Sequence, residues 1–181
     1  MAGAIDRFMQ QARDAMARGH DAAARDQIGR RLDELARSGA ISTDVIRERL
    51  HGMSAGFAIL ARADDGPTLM LSRFSADEPT PVHDHKSWGV AYVLRGRDRH
   101  RRWRRVDDGR EPGRARLVVD DDRELGEREF VHWADPPDDI HSQQGIGGEV
   151  YELVFFGRDP TVIPRNYFDP DRNTVREELR R

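Results

Sequence analysis

The chain of 181 residues, 37% of them hydrophobic, is long enough for one domain with a buried core, and no independent second domain is expected. A formal net charge of -3 is too small to predict a nucleic-acid or membrane partner by bulk electrostatics. The absence of cysteine excludes disulfides, thiolate nucleophiles, iron–sulfur clusters and Cys-ligated zinc, so any metal must be held by His, Asp or Glu.

Residues 1 to about 50 read as helix. Ile5, Phe8, Met9, Ala12 and Met16 follow helical spacing, with Gly19 as a stop. Ile28, Leu32 and Leu35 share the face of a second helix that stops near Gly39, and Ser42 or Thr43 caps a short third one through Ile46 and Leu50. These helices, in segment 1–54, are expected to pack on the outside of the domain formed by the remaining residues. No stretch of about 18 apolar residues occurs, and the first helix carries Asp6, Arg7 and Arg13, so a cytoplasmic location is expected.

From Ala55 the period changes to that of strands. Phe57–Ala61, Thr68–Phe74, Val90–Leu94, Ala115–Val119, Glu129–Trp133 and Val150–Phe156 are separated by Gly, Pro and Asp clusters, the pattern of an all-β barrel or sandwich spanning 55–172. The run from Arg95 to Arg105 interleaves arginines with Trp103 and invites a nucleic-acid reading. The acidic runs at Asp107-Asp108 and Asp120-Asp121-Asp122 favour instead a charged outer strand paired with acidic neighbours. The charged tail, 173–181, is expected to fray.

His83 and His85, one residue apart before a strand-like stretch, project to the same side of an extended chain, with Val82 and Asp84 on the other. His141 follows Pro136-Pro137-Asp138-Asp139-Ile140 and is the third candidate ligand. His20, His51 and His100 show no partner pattern and are expected to be solvated, whereas His132 is a candidate for a place behind a ligand. Asp84 and Asp139 are given structural roles. Trp88 has two readings, packing in the barrel wall or contact with substrate.

The segment from Thr80 through His83, His85, Trp88 and Gly89 to Gly96 resembles the first cupin motif of the cysteine dioxygenase group, which includes mercaptopropionate dioxygenases. Pro137 to His141 resembles that group's second motif, and Arg165-Asn166-Tyr167-Phe168-Asp169-Pro170 its barrel-closing tail. The resemblance implies a mainly β fold, a cupin double-stranded β-helix (jelly-roll barrel) with N-terminal helices. It also implies a mononuclear non-heme Fe(II) held by His83, His85 and His141, with Zn or Ni also able to occupy such a site on purification. The implied partners are a small-molecule thiol and O2; a monomer or homodimer that binds no nucleic acid and no membrane is expected. The thiol is oxidised to a sulfinate, and its carboxylate is paired by an arginine. Arg62 matches the arginine used in cysteine dioxygenases and Arg165 that used in mercaptopropionate dioxygenases.

This sequence also departs from the group. The strand expected to carry a Ser-x-His-x-Tyr relay has Glu152, Val154 and Phe156 at those positions. Glu152 is a candidate to orient a ligand or accept a proton if it faces inward, while Tyr151 faces outward unless a bulge in Gly145–Gly148 shifts the register. Gly89 stands where animal cysteine dioxygenases carry the cysteine of a Cys-Tyr crosslink. Three functions stay open: a thiol dioxygenase-like enzyme, a cupin oxygenase on a non-thiol chelating anion, and a metal-binding sensor without turnover.

Overall fold

The computed structural model describes residues 2–17, 19–51, 56–64, 66–76 and 78–179; the expected segment boundary at 54/55 lies outside them. Three helices come first, α1 (Ala2–Met16), α2 (Ala22–Arg37) and α3 (Thr43–Leu50). The strands are β1 (Phe57–Arg62), β2 (Thr68–Phe74), β3 (Val82–His83), β4 (Gly89–Arg95), β5 (Asp98–Arg105) and β6 (Leu117–Leu125). The rest are β7 (Phe130–Trp133), β8 (His141–Gly145), β9 (Val150–Phe156), β10 (Arg165–Asp169) and β11 (Thr174–Glu178).

The helices start where side chains satisfy their first amides: Asp21 accepts from Ala24 N at 2.9 Å and Ser42 from Val45 N at 3.3 Å. Their buried faces are the apolar stripes expected, with Ile5, Phe8 and Ala12 on α1 and Ile28, Leu32 and Leu35 on α2.

All strand pairs are antiparallel and form two sheets, ordered β1-β2-β9-β4-β7 and β11-β10-β3-β8-β5-β6. The sheets face one another as a jelly-roll barrel, so the fold class is the one expected. Strand alternation splits the first sheet into two apolar layers. Leu69, Leu71, Val90, Tyr92, Leu153 and Phe155 meet the helices, with Phe8 edge-on to Phe155 at 5.3 Å. Met70, Ala91, Trp133, Val154 and Phe156 point into the barrel. Burial on both faces explains why the second half of β9, Leu153 to Phe156, reads as a continuous apolar run instead of alternating.

The second sheet turns charge outward. Across β5 and β6, Arg99 and Arg101 pair with Asp122 at 2.7 and 2.9 Å, and Arg102 with Asp120 at 2.7 Å. This is the charged outer strand anticipated from the acidic runs. It also extends β6 through Asp120–Asp122, beyond the expected end at Val119, because those aspartates face the arginines of β5. The tail expected to fray instead supplies β11, paired residue for residue with β10 from Arg165↔Glu178 to Asp169↔Thr174.

Candidate metal centre

His83 and His141 stand directly opposite in the β3–β8 ladder. Only Val82 and His83 are ladder-bonded, so β3 is shorter than a His-x-His strand would require, and His85 lies just past its end. The extended alternation nonetheless persists. Asp84 turns to the other side, where it accepts from Asn166 N at 2.8 Å and Asn166 Nδ2 at 2.6 Å. Asp139 Oδ2 holds the next peptide, accepting from His85 N at 3.0 Å. Both aspartates are thus structural, as expected.

His83, His85 and His141 converge, their ligand atoms within 4.8 Å of one another. The Nε2 atoms of His83 and His85 are 3.1 Å apart, and those of His85 and His141 3.3 Å. Nitrogens about 2.0–2.1 Å from a common ion, at angles between octahedral and tetrahedral, lie about 2.8–3.4 Å apart, so these two spacings fit shared coordination. His83 Nδ1 lies 2.8 Å from the Pro81 carbonyl; donation there leaves Nε2 with its lone pair toward the centre. Burial pushes His141 well below the ordinary histidine range, with His83, His100 and Arg165 adding to the shift. It is therefore a neutral imidazole, the form that binds metal.

The three imidazoles line a cavity of about 540 Å³ between the sheets. Trp133 and Phe156 flank them, the Trp133 ring 4.8 Å from His141 and the Phe156 ring 4.6 Å from His85. Trp133 is fixed by its indole N–H donating to Ser87 O at 2.9 Å. Gly89 makes room for it: a Cβ there would meet Trp133 Cζ2 at 2.3 Å. This accounts physically for glycine in the Trp-Gly pair.

The remaining candidates separate. Arg165 lines the cavity, is only 4% exposed, and donates to Pro160 O at 3.3 Å; its Nε has no partner and no carboxylate pairs with it among the described residues. Burial lowers its pKa, while Tyr167 and Asp84 oppose that shift. Arg62 points away, its Nε 2.6 Å from Asp159 and its side chain half exposed. Trp88 lies on the helix side, 5.9 Å from Phe155 and stacked on His20 at 5.5 Å, so of its two readings the structure supports packing. Tyr151 also faces outward, its hydroxyl donating to Glu149 at 2.7 Å.

Glu152 does face inward and is fully buried, accepting from Gln143 Nε2 at 2.7 Å. Gln143 lines the cavity and Glu152 stands behind it beside Asp98. Burial, followed by repulsion from Asp98, pushes Glu152 well above the usual carboxylate range, and burial raises Asp98 to about 6.

Two histidine expectations are corrected. His100, expected to be solvated, is 3% exposed with its ring 5.2 Å from His141, whereas His20 is exposed as expected and bonds Asp135 at 2.7 Å. His132 faces α2, where Arg25 and Asp26 contact it, while His100 holds the place behind a ligand. The signal for His100 was present in the alternation of Asp98-Arg99-His100-Arg101. Tyr167 and Trp133, both lining the cavity, were not singled out either. Tyr167 has the parity of Arg165.

No family model matches the chain, and no curated protein matches it. Similar solved structures include cupins. A cupin superfamily protein from Desulfitobacterium hafniense DCB-2 is 16% identical with a TM-score of 0.41, over 57% of this chain and 76% of that one. A cupin-like protein from Thermotoga maritima MSB8 is 14% identical with a TM-score of 0.42, over 65% and 83%. A DMSP lyase from Ruegeria pomeroyi DSS-3 is 16% identical with a TM-score of 0.40, over 60% of this chain and 49%, about half, of the lyase. Among the described residues, no helix is long and apolar enough to cross a membrane.

Proposed function

We propose that this protein is a mononuclear non-heme Fe(II) enzyme that uses O2 to oxidise a carboxylate-bearing thiol, of the cysteine or mercaptopropionate type, to its sulfinate. The observation that carries the reading is Arg165, a buried guanidinium without a carboxylate partner among the described residues, in the same cavity as three converging imidazoles. A buried cation is costly unless an anion meets it, which points to an anionic ligand. Its fork matches a carboxylate.

His83, His85 and His141 would hold the iron. Three neutral ligands leave it doubly charged, and it would supply a centre where thiolate and O2 react. The chain does the positioning. Pro81 orients His83, Arg165 anchors the carboxylate, and Trp133 and Phe156 keep water from the imidazoles. The balance is a thiol plus O2 giving a sulfinate and one proton.

The test is oxygen uptake by anaerobically Fe(II)-loaded protein given cysteine, mercaptopropionate, cysteamine or a β-diketone in turn, with sulfinate detected by mass spectrometry and His83→Ala as control. Uptake with a carboxylate thiol, lost together with iron in the variant, is expected. Uptake with the diketone alone would replace this reading by oxygenation of a chelating carbon substrate. That second reading is favoured by Phe156, which places no hydroxyl beside His85.

A further inference from the structure

The cavity is too large for the smallest substrates of that reading. At roughly the 30 Å³ that a water molecule occupies in the liquid, the six heavy atoms of mercaptopropionate fill about 180 Å³. That is a third of the 540 Å³ available. Known ligand pockets of about 300–1,000 Å³ enclose drug-sized molecules.

The lining is also divided. Arg165 and Tyr167, on one face of β10, form a polar end against the imidazoles. The facing sheet contributes an apolar stretch of Phe57, Met70, Val154 and Phe156, beside the polar Ser72 and Arg73 of β2. Apolar wall left in contact with water is a free-energy cost that an apolar ligand removes.

We infer that the site takes an amphipathic carboxylate, in which a chain or ring several carbons longer than mercaptopropionate lies along Met70, Val154 and Phe156 while its carboxylate meets Arg165. The inference rests on reading this cavity as the substrate site. It adds the chemical class of the substrate body.

The experiment is calorimetric titration of the full chain, as purified and Fe(II)-loaded without O2, with straight-chain carboxylates from acetate to decanoate. Affinity should rise about fourfold per added methylene, the equivalent of about 0.8 kcal/mol per buried CH2, and then level off once the cavity is full. Arg165→Gln should remove binding across the series. Val154→Phe should shorten the chain length at which affinity levels off and leave acetate unchanged. A flat series overturns the inference, as does a Val154→Phe protein with an unaltered plateau. Oxygen uptake with mercaptopropionate separates this from the reading beneath it: uptake with a flat series leaves the enzyme without the amphipathic substrate. A rising series without uptake of any thiol leaves an amphipathic ligand site without the dioxygenase.

Discussion

Tyr167 is paired with His83 across the β10–β3 ladder, and their rings stack 6.2 Å apart. The same strand face carries Arg165, so the phenol and the guanidinium reach the cavity beside the ring of a candidate metal ligand. Tyr167→Phe keeps the ring and removes the hydroxyl. It should leave iron content unchanged and weaken carboxylate binding about fivefold, the worth of one hydrogen bond of about 1 kcal/mol. Titration with butyrate, alongside metal analysis, decides: unaltered affinity would confine Tyr167 to packing, and lost iron would make it a support of His83.

The two candidate arginines should respond differently. Arg62 is engaged by Asp159 and Thr161 outside the cavity lining. Arg62→Ala should therefore leave the KM for a carboxylate thiol unchanged, while the buried Asp159 left without its cation should cost roughly 1–3 kcal/mol of stability. Arg165→Gln should raise that KM about 10–100-fold, from the loss of a charged hydrogen bond worth roughly 1.5–3 kcal/mol. Steady-state kinetics on both variants checks this, and a raised KM in Arg62→Ala alone would reverse the assignment.

What was legible in the sequence tracked apolar patterning. The helices and strands β2 and β9 came out at or near their bounds because each buries an apolar face. β8, His-Ser-Gln-Gln-Gly, carries no such pattern, since its inward residues His141 and Gln143 line the cavity and Gln143 bonds Glu152 of β9. Likewise β11 is charged throughout its exposed part, and only its pairing with β10 makes it a strand. The candidate ligand triad was visible because His-x-His needs only local alternation. Whether Arg62 or Arg165 enters the cavity depends on how two sheets close, which spacing along one chain does not encode. His100 was hidden by the arginines on either side, whose charge belongs to the opposite face of β5.

Gly89 tests the close packing around the centre. Gly89→Ala would drive a methyl into the Trp133 indole, which is 4% exposed and tied to Ser87. Overpacking of this kind costs about 1–3 kcal/mol, and displacing Trp133 disturbs its contacts with His85 and His141. Lower melting temperature together with weaker iron retention is the expected result. A variant that melts like the parent and keeps its iron would mean that the indole can shift freely.

The buried Asp98–Glu152 pair sets a pH dependence of stability. In the unfolded chain both carboxyls titrate near 4, whereas folding raises Asp98 to about 6 and pushes Glu152 well above its ordinary range. Across that interval the folded state binds more protons than the unfolded, so stability falls as pH rises. The contribution is complete below about pH 4 and is lost through pH 6 and above. His100, whose Nδ1 is 3.8 Å from Asp98, does not compensate, because burial holds it down at about 4 and hence neutral. Glu152→Gln removes one ionisable member and the repulsion on the other. Its melting temperature should decline less between pH 5 and 8, ending roughly 2–4 °C above the parent, the shift that about 1 kcal/mol gives a domain of this size. Melting curves measured across that range for both proteins check it, and parallel pH profiles would show that the pair does not titrate as its burial requires.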